Sequence, residues 1–539
     1  MKIENNPYIQ KEDGRLVIAE EGKKYLESIV TNTTSNIYAF KNEANPLLVA
    51  ASMARLSRRG SDLREIYLDE FAIQGEGGAE KLIERVVVEF GDDSVQQLMN
   101  VALVVEGASN LLTKKIERGR LRSYLEQSTR YIFFYTKDAS GRYLFYAPVG
   151  EFPWRERYEQ DMNAIFDLYS LMARGVTEYL RKKIKEPEDK TERAAWLAAT
   201  KAQACDAVRP VLPVATKSTV GIVGSTQSIE EMVIYLTSEP LRECQETAKK
   251  VLLEARRVTG SFLKRSDMPE RGLAKALYRS DTAKALKDLA GKYLYYQEPK
   301  YEPVTLLGYD PKDELKLVPR MLFDASGKTR DSLTLLQIER QVAHWPRAKR
   351  LEVFNTYIGE RMNRRHKPGR ALEEAHYKWQ IVGDYGTFRD IQRHRMVDAF
   401  EWQNLTIKYG YEVPALVTEA GFSGEFHRCF GISEKLYAEL MNFDNEEEAQ
   451  YATLLGHRMC YAFIENAREA FHIHELRTGP QGHPGYRKIV QEMHNKLTRV
   501  HPLLGHAMKF VNMGEDPELT RLAAERVTQS KLALIHGLG

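Results

Sequence analysis

Cysteine is scarce and unpaired in this sequence. The 539 residues contain four, Cys205, Cys244, Cys429 and Cys460, with no CxxC pair, which excludes a disulfide framework and a thiolate zinc site. No metal ligand set is expected, and a reducing, cytoplasmic setting fits best. Long apolar runs are missing as well. None approaches the roughly 18 residues of a membrane span, and the N-terminal MKIENNPYIQKEDGR has no apolar core for a secretion signal, so no membrane partner is expected. Neither sign of charge prevails: 78 basic and 75 acidic residues leave a net +3. That gives no global field for a polyanion, so no nucleic-acid partner is expected and any basic site must be local.

What is present is an ordinary globular composition, 43% hydrophobic and 28% charged, in a chain too long for one core. Helical periodicity runs through NPLLVAASMARLSRR from Asn45, RYEQDMNAIFDLYSLMARGVTEYLRKKI from Arg157 and EEAQYATLLGHRMCYAFIENAREAFHIHELR from Glu447. Strand-like runs are NVALVVEG from Asn100 and RYIFFYT from Arg130. The middle segment YYQEPKYEPVTLLGYDPKDELKLVPRMLFDASGKT breaks the helical pattern with four prolines. The expected division is therefore 1–280, a connector or small β insert at 281–325, and 326–539. The two halves share a weak pattern: an apolar run reaches a glycine shortly before Arg-x-Arg, in VALVVEGASNLLTKKIERGR and in WQIVGDYGTFRDIQRHR. The intervals from Gly107 to Arg118 and from Gly383 to Arg393 are eleven and ten residues. Either chance among helical segments or an internal duplication produces this.

Three clusters carry candidate chemistry. RGRLRSYLEQSTRY, from Arg118 to Tyr131, packs four arginines with two serines and a glutamate. If its end is extended, Glu126, Ser128 and Arg130 share one face. Guanidinium forks and a hydroxyl suit phosphate, and the carboxylate suits a sugar hydroxyl or base. The alternative reading of the same residues is a surface ion-pair network at a helix–strand junction. In RHRMVDAFEWQ, Arg393, His394 and Arg395 either hold a planar ring and its phosphates or form a solvated basic patch. In NAREAFHIHELR, helical spacing puts Arg468 and His472 on one face, beside Asn466 and Arg477. That is a cofactor-binding surface or a salt-bridged helix exterior.

These clusters resemble the flavin-dependent thymidylate synthases, whose signature is RHRxxSxNExSxRY. Arg118, Arg120, Ser123, Glu126, Ser128, Arg130 and Tyr131 match it, with Gly119 in place of the histidine and Leu125 in place of the asparagine. ARLS, ending at Ser57, is similar to the family's early flavin-contacting ARxS element. DDS, ending at Ser94, resembles an HxS element without its histidine, and Arg209 in RPVLP resembles the arginine that grips nucleotide phosphate. The second half supplies Arg393, His394, Arg395 and Glu401, and Asn466, Arg468 and Arg477 resemble the family's C-terminal flavin and pyrimidine contacts. The first half has STQ, Ser225 to Gln227, and Leu236 at those places.

The resemblance implies an α+β fold of two tandem repeats, each a helix-rich unit around a small antiparallel sheet. It implies reductive methylation of dUMP to dTMP with FAD as cofactor and with NADPH and methylenetetrahydrofolate as co-substrates. Because family members are homotetramers with shared sites, it also implies a homodimer forming a pseudo-tetramer. Substrate would be bound by Glu126, Ser128, Arg130, Arg209 and Arg477, and Ser123, Arg120 and Arg477 would serve catalysis. Flavin would be held by Ser57, Ser94, Arg393, His394, Arg395, Asn466, Arg468 and His472. The motif's asparagine is missing from both copies, at Leu125 and Phe400. This leaves open a flavoenzyme acting on another pyrimidine nucleotide, or a flavin- or nucleotide-binding protein without turnover.

Overall fold

The computed structural model describes residues 6–12, 15–89, 91–148, 154–295, 297, 298, 300–330, 332–442 and 446–535. Residues 1–5, 13 and 14 of the N-terminal stretch and positions 296 and 299 of the expected connector lie outside the described residues. The chain forms two compact units. One comprises Met1–Ala108, Lys115–Glu126 and Thr219–Tyr296, and the other Ser109–Lys114, Gln127–Ser218 and Gln297–Gly539. The expected first repeat thus contributes to both.

The first unit is built on a three-stranded sheet in which Lys217–Ser225 lies between Asn100–Ser109 and Arg122–Glu126. Leu26, Ala50, Ala51, Ile66, Leu68, Ile83, Val87 and Phe262 form its fully buried centre. In the second unit the order is Val304–Asp310, His376–Asp384, Arg458–Asn466, Ala399–Trp402, all antiparallel. Leaving aside Val304–Asp310, the two sheets have the same strand order, and their flanking elements also correspond. The outer strand of each runs into a short helix, Asn110–Ile116 or Tyr385–Ile391, and a single 3-10 turn, Arg209–Val211 or Gln450–Ala452, stands before each central strand. Each central strand passes directly into a helix capped by its own last residue. The Ser225 hydroxyl accepts from Ser228 N–H, and the Asn466 amide oxygen accepts from Glu469 N–H at 2.9 Å. Two copies of one α+β unit in tandem account for these correspondences.

Within the second unit the copies meet along equivalent backbone. Leu455 N–H donates to Leu212 O and Val214 N–H to Thr453 O, both at 2.8 Å, with Pro213 bridged to Leu454. Since the 3-10 turn at 209–211 matches the one at 450–452, exchanging the copies maps the first of these bonds onto the second. This is the self-complementary pattern of a two-fold interface. Tyr385 and Asn110 open the equivalent short helices, and the Tyr385 hydroxyl donates to Asn110 O at 2.9 Å.

Two local expectations are corrected. The stretch from Glu447 to Arg477 is not helical throughout: Arg458–Asn466 is the central strand, its Met459, Tyr461 and Phe463 buried at every second position. RYIFFYT is not a strand. The preceding strand ends at Glu126, and Ser128 O accepts from Tyr131 and Ile132 N–H, turning the chain away. The helices expected from Asn45 and Arg157 are present as Pro46–Arg55 and Arg155–Lys183.

Candidate functional site

In the second unit, four arginines from both copies converge on one carboxylate. Asp390 lies in the short helix Tyr385–Ile391, with N-cap Asp384 accepting from Thr387 N–H at 2.8 Å. Its Oδ2 is 3.3 Å from Arg209 Nη1 and its Oδ1 is 3.9 Å from Arg477 Nη1. Arg477 Nη2 also donates to the Asp390 main-chain oxygen at 2.5 Å. Burial opposes ionisation of Asp390, but the charges of Arg209, Arg130, Arg477 and Arg393 overcome it and hold the carboxyl far below the usual carboxylate range.

Each arginine is held differently. Arg209 ends the long helix Lys190–Val208 and is 3% exposed, yet its Nη2 has no hydrogen-bond partner among the described residues. It can lie flat over the start of the 385–391 helix because Gly386 has no side chain: a Cβ there would be 3.2 Å from Arg209 Nε and Nη2. Arg130 makes a two-pronged ion pair with Asp206, Nε–Oδ1 at 2.8 Å and Nη2–Oδ2 at 2.7 Å, and its Nη1 donates to the Tyr486 hydroxyl at 3.1 Å. Despite burial, that pairing keeps its guanidinium firmly charged. Tyr486 is flanked by two cations, Arg130 at 5.6 Å and Arg477 at 5.2 Å from its ring centroid. Arg393 is exposed.

Next to this cluster, Arg477 Nε donates to His394 Nε2 at 2.8 Å, and His394 Nδ1 faces Glu469 Oε1 at 3.4 Å. The accepting Nε2 places the imidazole proton on Nδ1. Burial, followed by the Arg477 charge, drives the His394 pKa well below its ordinary value, so the ring is neutral. Burial raises Glu469 to about 7, and burial together with Lys367 and Arg364 lowers His472 to about 4. Donor atoms of His394, Glu469 and His472 come within 4.8 Å of one another. With His394 Nε2 engaged by Arg477 and cations on the histidine side, the surroundings favour an anion over a metal ion.

The remaining expected residues are placed as follows. Asn466 is 9% exposed and caps its helix, and Arg468 donates to Pro368 O at 3.0 Å and pairs with Glu373 at 3.3 Å. Arg395 is exposed, and Ser128 is half-buried in the turn before Arg130. Ser57, Ser94, Arg120, Ser123 and Glu126 belong to the first unit. There Ser57, Ser94, Arg120 and Ser123 are exposed and Glu126 is buried at a strand end. The strand stops at Glu126, so Glu126, Ser128 and Arg130 do not share the face expected of them. At Gly119, where the signature has histidine, a Cβ would fall 1.9 Å from Arg122 Nη2; the Arg122 guanidinium fills that position and donates to Tyr124 and Ser228.

Sequence reasoning missed Asp206, Asp390, His483 and Tyr486. His483 caps the Pro484–Val500 helix through Nδ1, which accepts from Gly485 N–H at 3.1 Å, and its Nε2 lies 3.4 Å from Asp206 O. Burial, with Arg209 next, lowers it to about 3. An unbalanced group of arginines was the one signal that pointed to such counter-charges.

Residues 40–259 and 309–503 each match the family described as thymidylate synthase complementing protein, Thy1. The chain belongs to this family of flavin-dependent thymidylate synthases, in a tandem form. It is 30% identical to a UPF0159 protein of Chlamydia muridarum over 94% of this chain and 98% of that one. It is 28% identical to a UPF0159 protein of Thermoplasma acidophilum over 88% of this chain and 97% of that one. A solved structure of a UMP/dUMP methylase, PolB, from Streptomyces cacaoi bound with 5-Br dUMP has 14% identity and a TM-score of 0.30, covering 38% of this chain and 93% of its own.

Proposed function

We propose that the protein carries out reductive methylation of dUMP to dTMP at a site shared by its two copies. The first copy supplies Ser128, Arg130 and Arg209, and the second supplies Arg393, His394, Arg468, His472 and Arg477. The observation that carries this reading is the meeting of Arg130 and Arg209 with Arg393 and Arg477 around Asp390. Four guanidinium groups against the carboxylates of Asp206 and Asp390 leave a formal surplus of two positive charges, which suits a phosphate monoester dianion.

Among the described residues, no helix is long and apolar enough to cross a membrane. The cationic surroundings of His394 and His472 fit an anionic dinucleotide, and Arg393, His394, Arg395, Asn466, Arg468 and His472 would hold FAD. The flavin, when bound and reduced, would supply the hydride, with methylenetetrahydrofolate as carbon donor and NADPH as reductant. The protein's own part is orientation and charge. Asp206 locks the Arg130 fork for phosphate, and neutral His394 and the Asp390 carbonyl fix the plane of Arg477. The Arg477 charge then stabilises negative charge that develops on the pyrimidine during addition to the ring, an effect worth several kcal/mol in a preorganised site.

Tritium release from dUMP labelled at C5, with FAD, NADPH and methylenetetrahydrofolate present, tests this. The expected result is release together with about one flavin per chain, that is, two per homodimer. One observation favours a second reading. Where the signature has asparagine, Leu125 is exposed on a strand, and Phe400 stacks on Tyr461 and Phe463 at 5.8 and 5.3 Å, so neither copy offers the carboxamide. Bound flavin without tritium release would mark a flavoenzyme for another pyrimidine nucleotide or a binding protein without turnover.

A further inference from the structure

The segment after the second family match contains an arginine that no motif assigns. Residues 518–522 are fastened to the Lys190–Val208 helix. Gln203 Nε2 donates to Glu518 O at 2.8 Å, and Thr520 N–H donates to Gln203 Oε1 at 3.1 Å. Leu519 is buried with Trp196 and Ala199, and Leu522 packs on the same cluster. The next helix, Leu522–Ile535, is tied to the same long helix by Arg526 and Glu192 at 2.7 Å. The anchoring fixes Arg521 between them. Its guanidinium lies over the Tyr131 ring, 4.1 Å from the centroid, and Tyr131 is the residue after Arg130.

This guanidinium feels the Glu525 carboxylate, yet two of its nitrogens, the buried Nε and Nη1, are left without a hydrogen-bond partner among the described residues. Burial and the nearby Arg130 charge lower its pKa to about 10, which leaves it protonated at neutral pH. Stacking on an aromatic face occupies the flat side of a guanidinium and leaves its in-plane N–H groups available. Arg209, which shares with Arg130 the surroundings of Asp390, is 3% exposed and also has a partnerless nitrogen, Nη2. Buried donors without partners cost free energy unless a ligand supplies the acceptors. A phosphate group supplies several strong acceptors together with negative charge.

We propose that Arg521, stacked on Tyr131, is a binding residue for the phosphate of the nucleotide substrate, completing with Arg130 and Arg209 a three-arginine grip. The assignment rests on the nucleotide reading of the site given above, but its requirement for a phosphate anion can be tested separately. The Tyr131 ring aims the fork, and the 518–522 anchor makes the C-terminal segment part of the binding site.

The test is calorimetric titration of the full-length protein and of Arg521→Ala, Arg521→Lys and Arg130→Ala with dUMP, deoxyuridine and inorganic phosphate, with flavin content read from absorbance. Loss of a charge-assisted contact to phosphate predicts about ten- to hundredfold weaker dUMP binding in Arg521→Ala. Arg521→Lys should recover part of this, and deoxyuridine binding and flavin content should be unchanged. A purely structural clasp on Tyr131 would instead weaken dUMP and deoxyuridine alike, which would overturn the proposal. Equal dUMP affinity in the wild type and Arg521→Ala, with Arg130→Ala impaired, would overturn it while sparing the proposed function. Reduced flavin content with dUMP affinity intact would assign the contact to the flavin's phosphates and likewise overturn it. Phosphate binding that depends on Arg521 without any dUMP binding would support the anion grip and reject the thymidylate reading. Failure of the wild type to bind either anion would reject both.

Discussion

Arg209 and Gln450 occupy equivalent points, the first residues of matching 3-10 turns, and they have opposite surroundings. Arg209 is a buried cation whose Nη1 pairs with Asp390 and whose Nη2 has no hydrogen-bond partner among the described residues. Gln450 is equally buried and well supplied: its Oε1 accepts from Leu405 N–H at 3.1 Å, and its Nε2 donates to Glu447 O at 3.0 Å. Counted along the signature from Arg393 as from Arg118, Leu405 falls at the place of Arg130. On the first side Arg130 is paired with Asp206 and Arg209 keeps one unpartnered nitrogen, whereas on the second Gln450 finds its partners close by. A buried guanidinium with an unpartnered nitrogen destabilises the fold, and of these two equivalent positions only Arg209 carries it.

The strongest way to break this contrast is to make the two sides alike. Arg209→Gln copies the Gln450 side chain into the first copy and should lower tritium release from labelled dUMP at least a hundredfold. Near-normal release would remove Arg209 from the site. Next in size is Asp390→Asn. The folded-state pKa of Asp390 is depressed, so its ionised form contributes stability above the unfolded carboxyl pKa, and this is lost as pH falls below about 4. The variant should be destabilised by about 3–5 kcal/mol at pH 7, as expected for breaking a buried charge pair, and should show a shallower loss of stability on acidification. Urea unfolding across pH checks both points.

Glu469 tests the proposed flavin side with the opposite sign. Its folded pKa of about 7 lies above the ordinary carboxyl value, so ionising it costs stability as pH rises from about 4.5 to 7. Glu469→Gln should be more stable than wild type by an amount that grows over that window to at most about 3 kcal/mol and stays level above it. A difference independent of pH would contradict the buried, raised carboxyl. The smallest effect belongs to the self-satisfied side: Gln450→Met should cost about 1–3 kcal/mol through lost hydrogen bonds and leave tritium release per folded chain unchanged. A loss of turnover there would mean that the second copy's phosphate side still works.

Much of this arrangement was legible from residue types and spacing. Arg130, Arg209, Arg393, His394 and Arg477 stand out in the sequence, and the strand from Asn100 follows its β-branched run. Their counter-ions did not stand out. Asp206 is one acidic residue in a mainly helical pattern and acquires meaning only when folding brings it 2.7 Å from Arg130. Asp390, His483 and Tyr486 are likewise defined by contacts between residues 87 to 356 positions apart. The strand at 458–466 was misread because RMCYAFIEN lies among helical stretches, although Met459, Tyr461 and Phe463 alternate as a half-buried strand should. The aromatic run RYIFFYT misled in the other direction, because the turn at Ser128 redirects it.

The antiparallel seam at 210–214 and 453–456 joins equivalent halves that share one covalent chain. Partners linked in this way remain at a fixed effective concentration however far the solution is diluted. The arginines around Asp390 should therefore stay assembled at nanomolar protein, where a cluster borrowed from separate subunits would come apart.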